Sequence, residues 1–182
     1  MIYHEATLRD AWLLEPERRG DERGWFARTM DAAEFAARGM ASVWVQQNAS
    51  VSVHRGTVRG LHFQRPPHAE AKLIRCLRGA ILDVIVDLRP GSDSHLRHEG
   101  FELSAENGRL LYVPKGFAHG FQTLTDDVEV SYLVSAAYAP QAEGGLRHDD
   151  PRLGIAWPLP VSVISPKDAA WPLLAAGGAG PL

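Results

Sequence analysis

Two short segments hold most of the residues in this chain that could do chemistry: Val58–Lys72, VRGLHFQRPPHAEAK, and Pro114–Phe121, PKGFAHGF. They offer His62, Lys72 and His119. Two imidazoles invite a metal reading, but a divalent-metal site needs several neutral or anionic donors converging on one point. The position two residues after His62 is an amide, Gln64, and Lys72 brings an ammonium that repels a cation. A histidine, a lysine and a second histidine facing one pocket suit proton transfer beside a carbonyl.

These groups need elements that aim them. The sequence predicts one clear helix, Asp31 to Arg38, with Asp31 and Glu34 as a capping box and Gly39 as its stop. Beyond it the apolar period falls to two, which predicts strands at 43–48, 56–63, 72–77, 80–88, 109–113, 118–124 and 128–134. Gly, Pro, Asn and Asp punctuate the joins. The fold class that follows is all-β, a sandwich or jelly roll with a short N-terminal helix. Residues 1–174 read as one domain, and the small-residue tail 175–182 is expected to be disordered.

Strand alternation assigns faces. Val58, Gly60, His62 and Gln64 are expected to point one way, and Arg59, Leu61 and Phe63 the other. Lys72 shares a face with Ile74 and Cys76, so its ammonium lies inward, where an unpaired charge is costly. Tyr132 aligns with Val128, Val130 and Val134, and Gln46 with Asn48, Ser50 and Ser52. A lone inward histidine is more often structural than catalytic, and a lone tyrosine is more often a core aromatic. An inward lysine beside the histidine raises the odds of function, because buried lysines usually have a partner or a task. Cys76 reads as inert core. Arg23, Arg28, Arg55 and Arg59 matter only if they converge on an anion, whose oxygens the guanidinium fork matches.

Composition excludes more than it assigns. At 182 residues, with a net charge of −3 and a pI near 6.2, the chain does not read as a nucleic-acid binder. One cysteine rules out an internal disulfide, and no long apolar run marks an export signal or a membrane span. A cytoplasmic protein is the expectation.

The two segments resemble the paired signature of a cupin barrel whose metal ligands are replaced. Gly56, five residues, His62, Gln64, Lys72 and Gly79 stand for the first segment. Gly108, five residues, Pro114-x-Gly116 and His119 stand for the second. More specifically, the chain resembles the dTDP-4-dehydrorhamnose 3,5-epimerase family from about Arg23 to Asp168. The resemblance rests on RGWF at 23–26, QQN at 46–48, RGLHFQ at 59–64, Lys72, DVIVDLR at 83–89, PKGFAHGF at 114–121, Tyr132, and SPKD at 165–168.

That resemblance implies a cupin jelly roll (a double-stranded β-helix) working as a homodimer with strands or loops exchanged. It implies His62 as general base, Asp168 as the carboxylate that orients it, Tyr132 as general acid on the opposite face of the sugar, and Lys72 as the cation on the enolate oxygen. Arg23, Phe26, Gln46, Asn48, Arg59, His119, Glu143 and Lys167 fall on nucleotide-sugar contact positions, and Tyr138 where an aromatic stacks on the base. The substrate implied is a nucleoside-diphosphate 4-keto-6-deoxyhexose, with dTDP the expected nucleotide and CDP the alternative. The keto group acidifies the hydrogens at C3 and C5, so inversion there needs no cofactor and no metal. Arg28 departs from the pattern, because the family carries a glutamate there. The competing readings are a related 3,4-ketoisomerase and a non-catalytic sugar-nucleotide-binding cupin.

Overall fold

The two-residue periodicity resolves into two antiparallel sheets that face each other. The computed structural model describes residues 1–175 and 180–182, so positions 176–179 of the expected tail 175–182 lie outside the described residues. In chain order the elements are β1 (Ile2–Glu5), β2 (Trp12–Glu15), β3 (Arg19–Asp21), β4 (Gly24–Phe26), α1 (Ala32–Ala36), β5 (Gln46–Ser52), β6 (Thr57–Gln64), β7 (Lys72–Arg78) and β8 (Ala80–Asp87). There follow β9 (His98–Ser104), β10 (Leu110–Val113), β11 (Phe117–Thr123), β12 (Val128–Val134), β13 (Glu143–Gly145), β14 (Val163–Ile164) and α2 (Pro166–Ala169). One sheet runs β1–β2–β10–β7–β12–β5 and the other β13–β6–β11–β8–β9. β14 joins β6 in parallel, and β3 with β4 forms a separate hairpin. The fold is the all-β jelly roll that the sequence predicts. Among the described residues no helix is long and apolar enough to cross a membrane.

Inward-facing Ile74, Cys76, Ile81, Ile85, Leu111, Phe121 and Val130 meet between the sheets. Burial pushes the Cys76 thiol up to about 11, so it stays an unreactive thiol, as expected of core. The outer face of the first sheet is roofed by α1. Phe35 of α1 is wholly buried against Leu14, Leu73, Leu110 and Tyr112, and its loss would cost about 3–5 kcal/mol. Asp31 caps α1 by accepting from the Ala33 and Glu34 amides. Gly39 ends it at φ +72, with Met40 N–H donating to the Phe35 carbonyl and Gly39 N–H to that of Ala36. The reciprocal half of the capping box is not made, because the Glu34 carboxylate accepts from the Tyr3 hydroxyl.

Three sequence expectations change. The strand expected at 43–48 lies at Gln46–Ser52. Val43 and Val45 alternate like a strand but are exposed, and pairing with β12 holds the polar Gln-Gln-Asn run extended instead. The apolar period does not mark β1, β2, the β3–β4 hairpin, β9, β13, β14 or α2 as elements. The third change concerns β6. His62 pairs with His119, while Arg59 pairs with Phe121, so Gly60 and Leu61 together oppose the single residue Gly120. This bulge cancels one step of the alternation. Arg59 therefore lies on the same face as His62, not opposite it, while Leu61 and Phe63 turn outward into a second apolar cluster with Val84, Val86 and Leu146.

The bulge depends on close backbone approach. Gly60 sits at φ +107, and a Cβ there would lie 2.7 Å from Gly120 Cα and from the His119 carbonyl oxygen. Gly60→Ala should cost about 3 kcal/mol and lower the melting temperature by several degrees. Thermal denaturation followed by circular dichroism tests this, and an unchanged melting temperature would show that the strands do not approach so closely.

Candidate active site

The C-terminal segment sets the first pair. β14 lies along Thr57 and Val58 of β6, and α2 follows at once. Ser165 caps α2 by accepting from the Asp168 amide, and Pro166 occupies its first turn. One carboxylate oxygen of Asp168 then lies 2.6 Å from His62 Nε2, and the other accepts from Gly60 N–H at 3.1 Å. Burial pushes the Asp168 carboxyl up, but the bonds from His62, Gly60 and Ser165 outweigh it and hold the group below the ordinary carboxylate range. An ionised carboxylate on Nε2 fixes that nitrogen as the N–H donor and leaves Nδ1 as the basic atom.

A second histidine–carboxylate pair stands beside the first. His119 Nε2 lies 2.9 Å from Asp83, which is fully buried on β8. Burial raises the Asp83 carboxyl against the opposing charges of His119 and Lys72. Its other oxygen has no partner among the described residues, and neither has the Ser50 hydroxyl on the cavity wall. In the sequence Asp83 stands out only within DVIVDLR, although its place between Ile81 and Ile85 marks it as an inward charge.

Two adjoining cavities, of about 540 and 300 Å³, share His62, Lys72 and Tyr132 in their walls. Arg59, His119, Lys167 and Asp168 line the larger, and Gln46, Asn48, Tyr138 and Glu143 the smaller. Eleven of the predicted site residues thus meet at one double cavity. His62 and His119 come from one sheet, Lys72 and Tyr132 from the other. Burial pushes the Tyr132 phenol above its ordinary value, and the Glu70 carboxylate adds to this against the Arg59 guanidinium. Tyr132 therefore carries its proton across the neutral range.

Side-chain bonds brace the rim. Arg59 donates from Nε to Ser52 Oγ at 2.9 Å and to the Val51 carbonyl at 2.8 Å. Lys167 pairs with Glu143 at 2.6 Å, and the Tyr138 hydroxyl donates to the same carboxylate at 2.9 Å. Gln46 accepts from the Tyr138 amide at 2.7 Å. Gln64, where a metal ligand might stand, is consumed structurally: its Nε2 donates to the His68 carbonyl and to Glu70, and its Oε1 accepts from Ala139 N–H. Among the described residues no three His, Cys, Asp or Glu side chains group as metal ligands.

Sequence reasoning missed Glu70, whose carboxylate lies 3.1 Å from Lys72 Nζ. Its only signal was an acidic residue between two alanines, two places before an inward lysine. Three predicted contact residues stay away from the cavity. Arg23 and Phe26 belong to the β3–β4 hairpin, where Arg23 pairs with Asp21 and Phe26 is 70% exposed. Arg28 is exposed and donates to the Asp31 carboxylate at 2.8 Å, at the N-terminus of α1. The hairpin pairs with neither sheet, so it does not carry these side chains to the chain's own site.

The geometry is an acid–base chamber, and the comparisons with known proteins agree with it. The family model for dTDP-4-dehydrorhamnose 3,5-epimerase matches residues 5–176. A dTDP-4-dehydrorhamnose 3,5-epimerase of Sinorhizobium fredii is 44% identical over 175 residues, 96% of this chain and 90% of that protein. A dTDP-4-dehydrorhamnose 3-epimerase of Streptomyces niveus is 41% identical over 92% of this chain and 81% of its own length. The crystal structure of the 3,5-epimerase from Bacillus anthracis, with TDP and PPi bound, superposes with a TM-score of 0.91 at 44% identity, covering 95% of this chain and 99% of that one. The chain belongs to the dTDP-4-dehydrorhamnose 3,5-epimerase family, isomerases of deoxysugar biosynthesis.

Proposed function

We propose that this chain inverts C3, C5 or both in a dTDP-linked 4-keto-6-deoxyhexose, by removing a proton on one face of the ring and returning one on the other. The observation that carries this reading is the opposition of His62 and Tyr132, an oriented base and a protonated phenol on facing sheets of one cavity. The 4-keto group acidifies the neighbouring C–H bonds. His62, held by Asp168, takes the proton and becomes an imidazolium next to a carboxylate. The charge that develops on the carbonyl oxygen needs a fixed cation, which Lys72 provides from the wall it shares with Tyr132. The phenol then protonates the carbanion from the opposite face. The imidazolium then gives its proton to solvent and the phenolate takes one back, so the residues act only as proton donors and acceptors, with nothing oxidised or reduced.

The ring occupies the junction of the two cavities. Arg59 and Lys167 offer cations to the diphosphate, and Tyr138, 57% exposed at the rim, offers its ring to the base. The dTDP assignment is supported by the B. anthracis relative, which holds TDP.

The working unit in this reading is a homodimer. β5 is an edge strand with Val51 exposed on it and Val43, Val45 and Val53 exposed beside it. The hairpin carries Arg23, Trp25 and Phe26 away from the chain's own cavity. A second copy that covers this edge receives the hairpin at its site. Arg28 lies on the same excursion, so nucleotide preference depends on it across the interface.

Incubation of the enzyme with dTDP-4-keto-6-deoxyglucose in D2O, followed by NMR at each carbon, tests the chemistry and counts the inverted centres. His62→Ala should lower exchange at C3 by several orders of magnitude, about 4 kcal/mol or more in barrier. Near wild-type exchange in that variant would overturn the mechanism. Tyr132→Phe should leave proton removal in place while stereochemical inversion fails, and normal inversion would reassign the acid. For the dimer, mixing inactive His62→Ala with inactive Arg23→Ala should recover up to about a quarter of the wild-type activity, since random exchange forms mixed pairs with one intact site. No recovery in a mixture shown to exchange subunits would place Arg23 outside the neighbour's site.

A further inference from the structure

Glu70 is the strongest unassigned feature of the molecule. It lies outside every strand, in the connection between β6 and β7, yet its side chain is only 11% exposed and faces the smaller cavity. One carboxylate oxygen lies 3.1 Å from Lys72 Nζ, and the other accepts from Gln64 Nε2 at 3.2 Å. Gln64 is itself held by the backbone at three points, His68, Ala137 and Ala139. Glu70 is thus a charge fixed in place by an amide whose own rotation is blocked. The Lys72 side chain is 10% exposed, and a buried ammonium without a partner is expensive. Among the described residues Glu70 is the only carboxylate within ion-pair distance of it.

We infer that Glu70 is a positioning residue for the epimerisation: its carboxylate seats the Lys72 ammonium at the junction of the cavities and sets a fixed negative charge beside the neighbouring Tyr132. This inference rests on the function proposed above, which needs a cation on the enolate oxygen and a phenol as proton donor. The other charged groups around the pair are Arg59 and His62 from β6, Asp83 and His119 from β8 and β11, Lys167 and Asp168 from the C-terminal segment, and Glu143 from β13. Their carboxylates are otherwise engaged. Asp83 faces His119, Asp168 faces His62, and Glu143 faces Lys167. Asp83 acts on Lys72 only through space, and among the described residues only Glu70 reaches it at ion-pair distance. The Glu70 charge also raises the Tyr132 phenol, second only to burial. An anion beside an acid favours the protonated form, so removing that charge makes proton loss easier at Tyr132.

Glu70→Gln keeps the shape and the acceptor oxygen but removes the charge. The expected result is an alkaline limb of kcat/KM displaced to lower pH by about one unit, with the acid limb unmoved. A fall of kcat/KM by the same factor at every pH, both limbs in place, would make Glu70 a structural residue only and overturn the inference. A second measurement needs no turnover. The chain has four tyrosines, so 13Cζ labelling gives four resolvable signals, and the Tyr132 signal should titrate at lower pH in Glu70→Gln than in wild type. Coincident Tyr132 titrations would also overturn the inference. If wild type does not act on the 4-keto sugar, the proposed function fails, and the tyrosine titration still decides the electrostatic role of Glu70. If Glu70→Gln does not fold, Glu70→Asp withdraws the charge by one methylene and should move the same signal in the same direction by less, whereas an unmoved signal again counts against it.

Discussion

The Asp168 carboxylate is the group on which the site depends. It is 4% exposed and divides its two oxygens between a side chain and the main chain, His62 Nε2 and Gly60 N–H. The main-chain contact falls on the bulge that turns Arg59 and His62 to one wall. A single anion therefore does three things: it pins the imidazole, satisfies an amide that the bulge removes from the ladder, and anchors the C-terminal segment to the second sheet. A buried charge with only one of these contacts would be a liability. With all of them it is held ionised, and the imidazole it faces is set in one tautomer.

Electrostatics in the chamber follow a common pattern. Two imidazoles and two ammonium groups each have their own carboxylate: His62 with Asp168, His119 with Asp83, Lys72 with Glu70, Lys167 with Glu143. The pairs leave little net charge around the cavities, which lowers the cost of assembling so many ionisable groups there. In the proposed reaction they leave the substrate's own charge, a diphosphate and a transient enolate, as what the donors must meet. Arg59 is bound only to neutral oxygens, Ser52 Oγ and the Val51 carbonyl, so its full positive charge remains available to an anion.

Much of this was legible in the sequence. The inward face of Lys72 with Ile74 and Cys76 follows from simple alternation, and so does that of Tyr132 with Val128 and Val130. Alternation fails at Arg59 because it assumes that each residue on one strand meets one on the next, and the opposed glycines Gly60 and Gly120 break that assumption. The strand at 43–48 was misplaced because Val43 and Val45 carry the pattern while the pairing energy of β12 acts on the polar residues that follow. Glu70 carries no periodic signal at all, since it lies in a connection, and only the folded chain brings it to Lys72. The roles of base and acid came from family resemblance, whereas their placement on opposite sheets is a property of the fold.

The chemistry is assembled from parts of the chain that are far apart. His62 and Asp168 are separated by 106 residues, Asp83 and His119 by 36. Loop closure of that kind is slow, because its entropy is lost before the contacts that repay it exist. α2, at four residues, has no stability of its own and can form only on a β6 that is already paired. The expected order is therefore barrel first and oriented base last, so that on refolding catalytic competence should return after the circular-dichroism signal of the sheets.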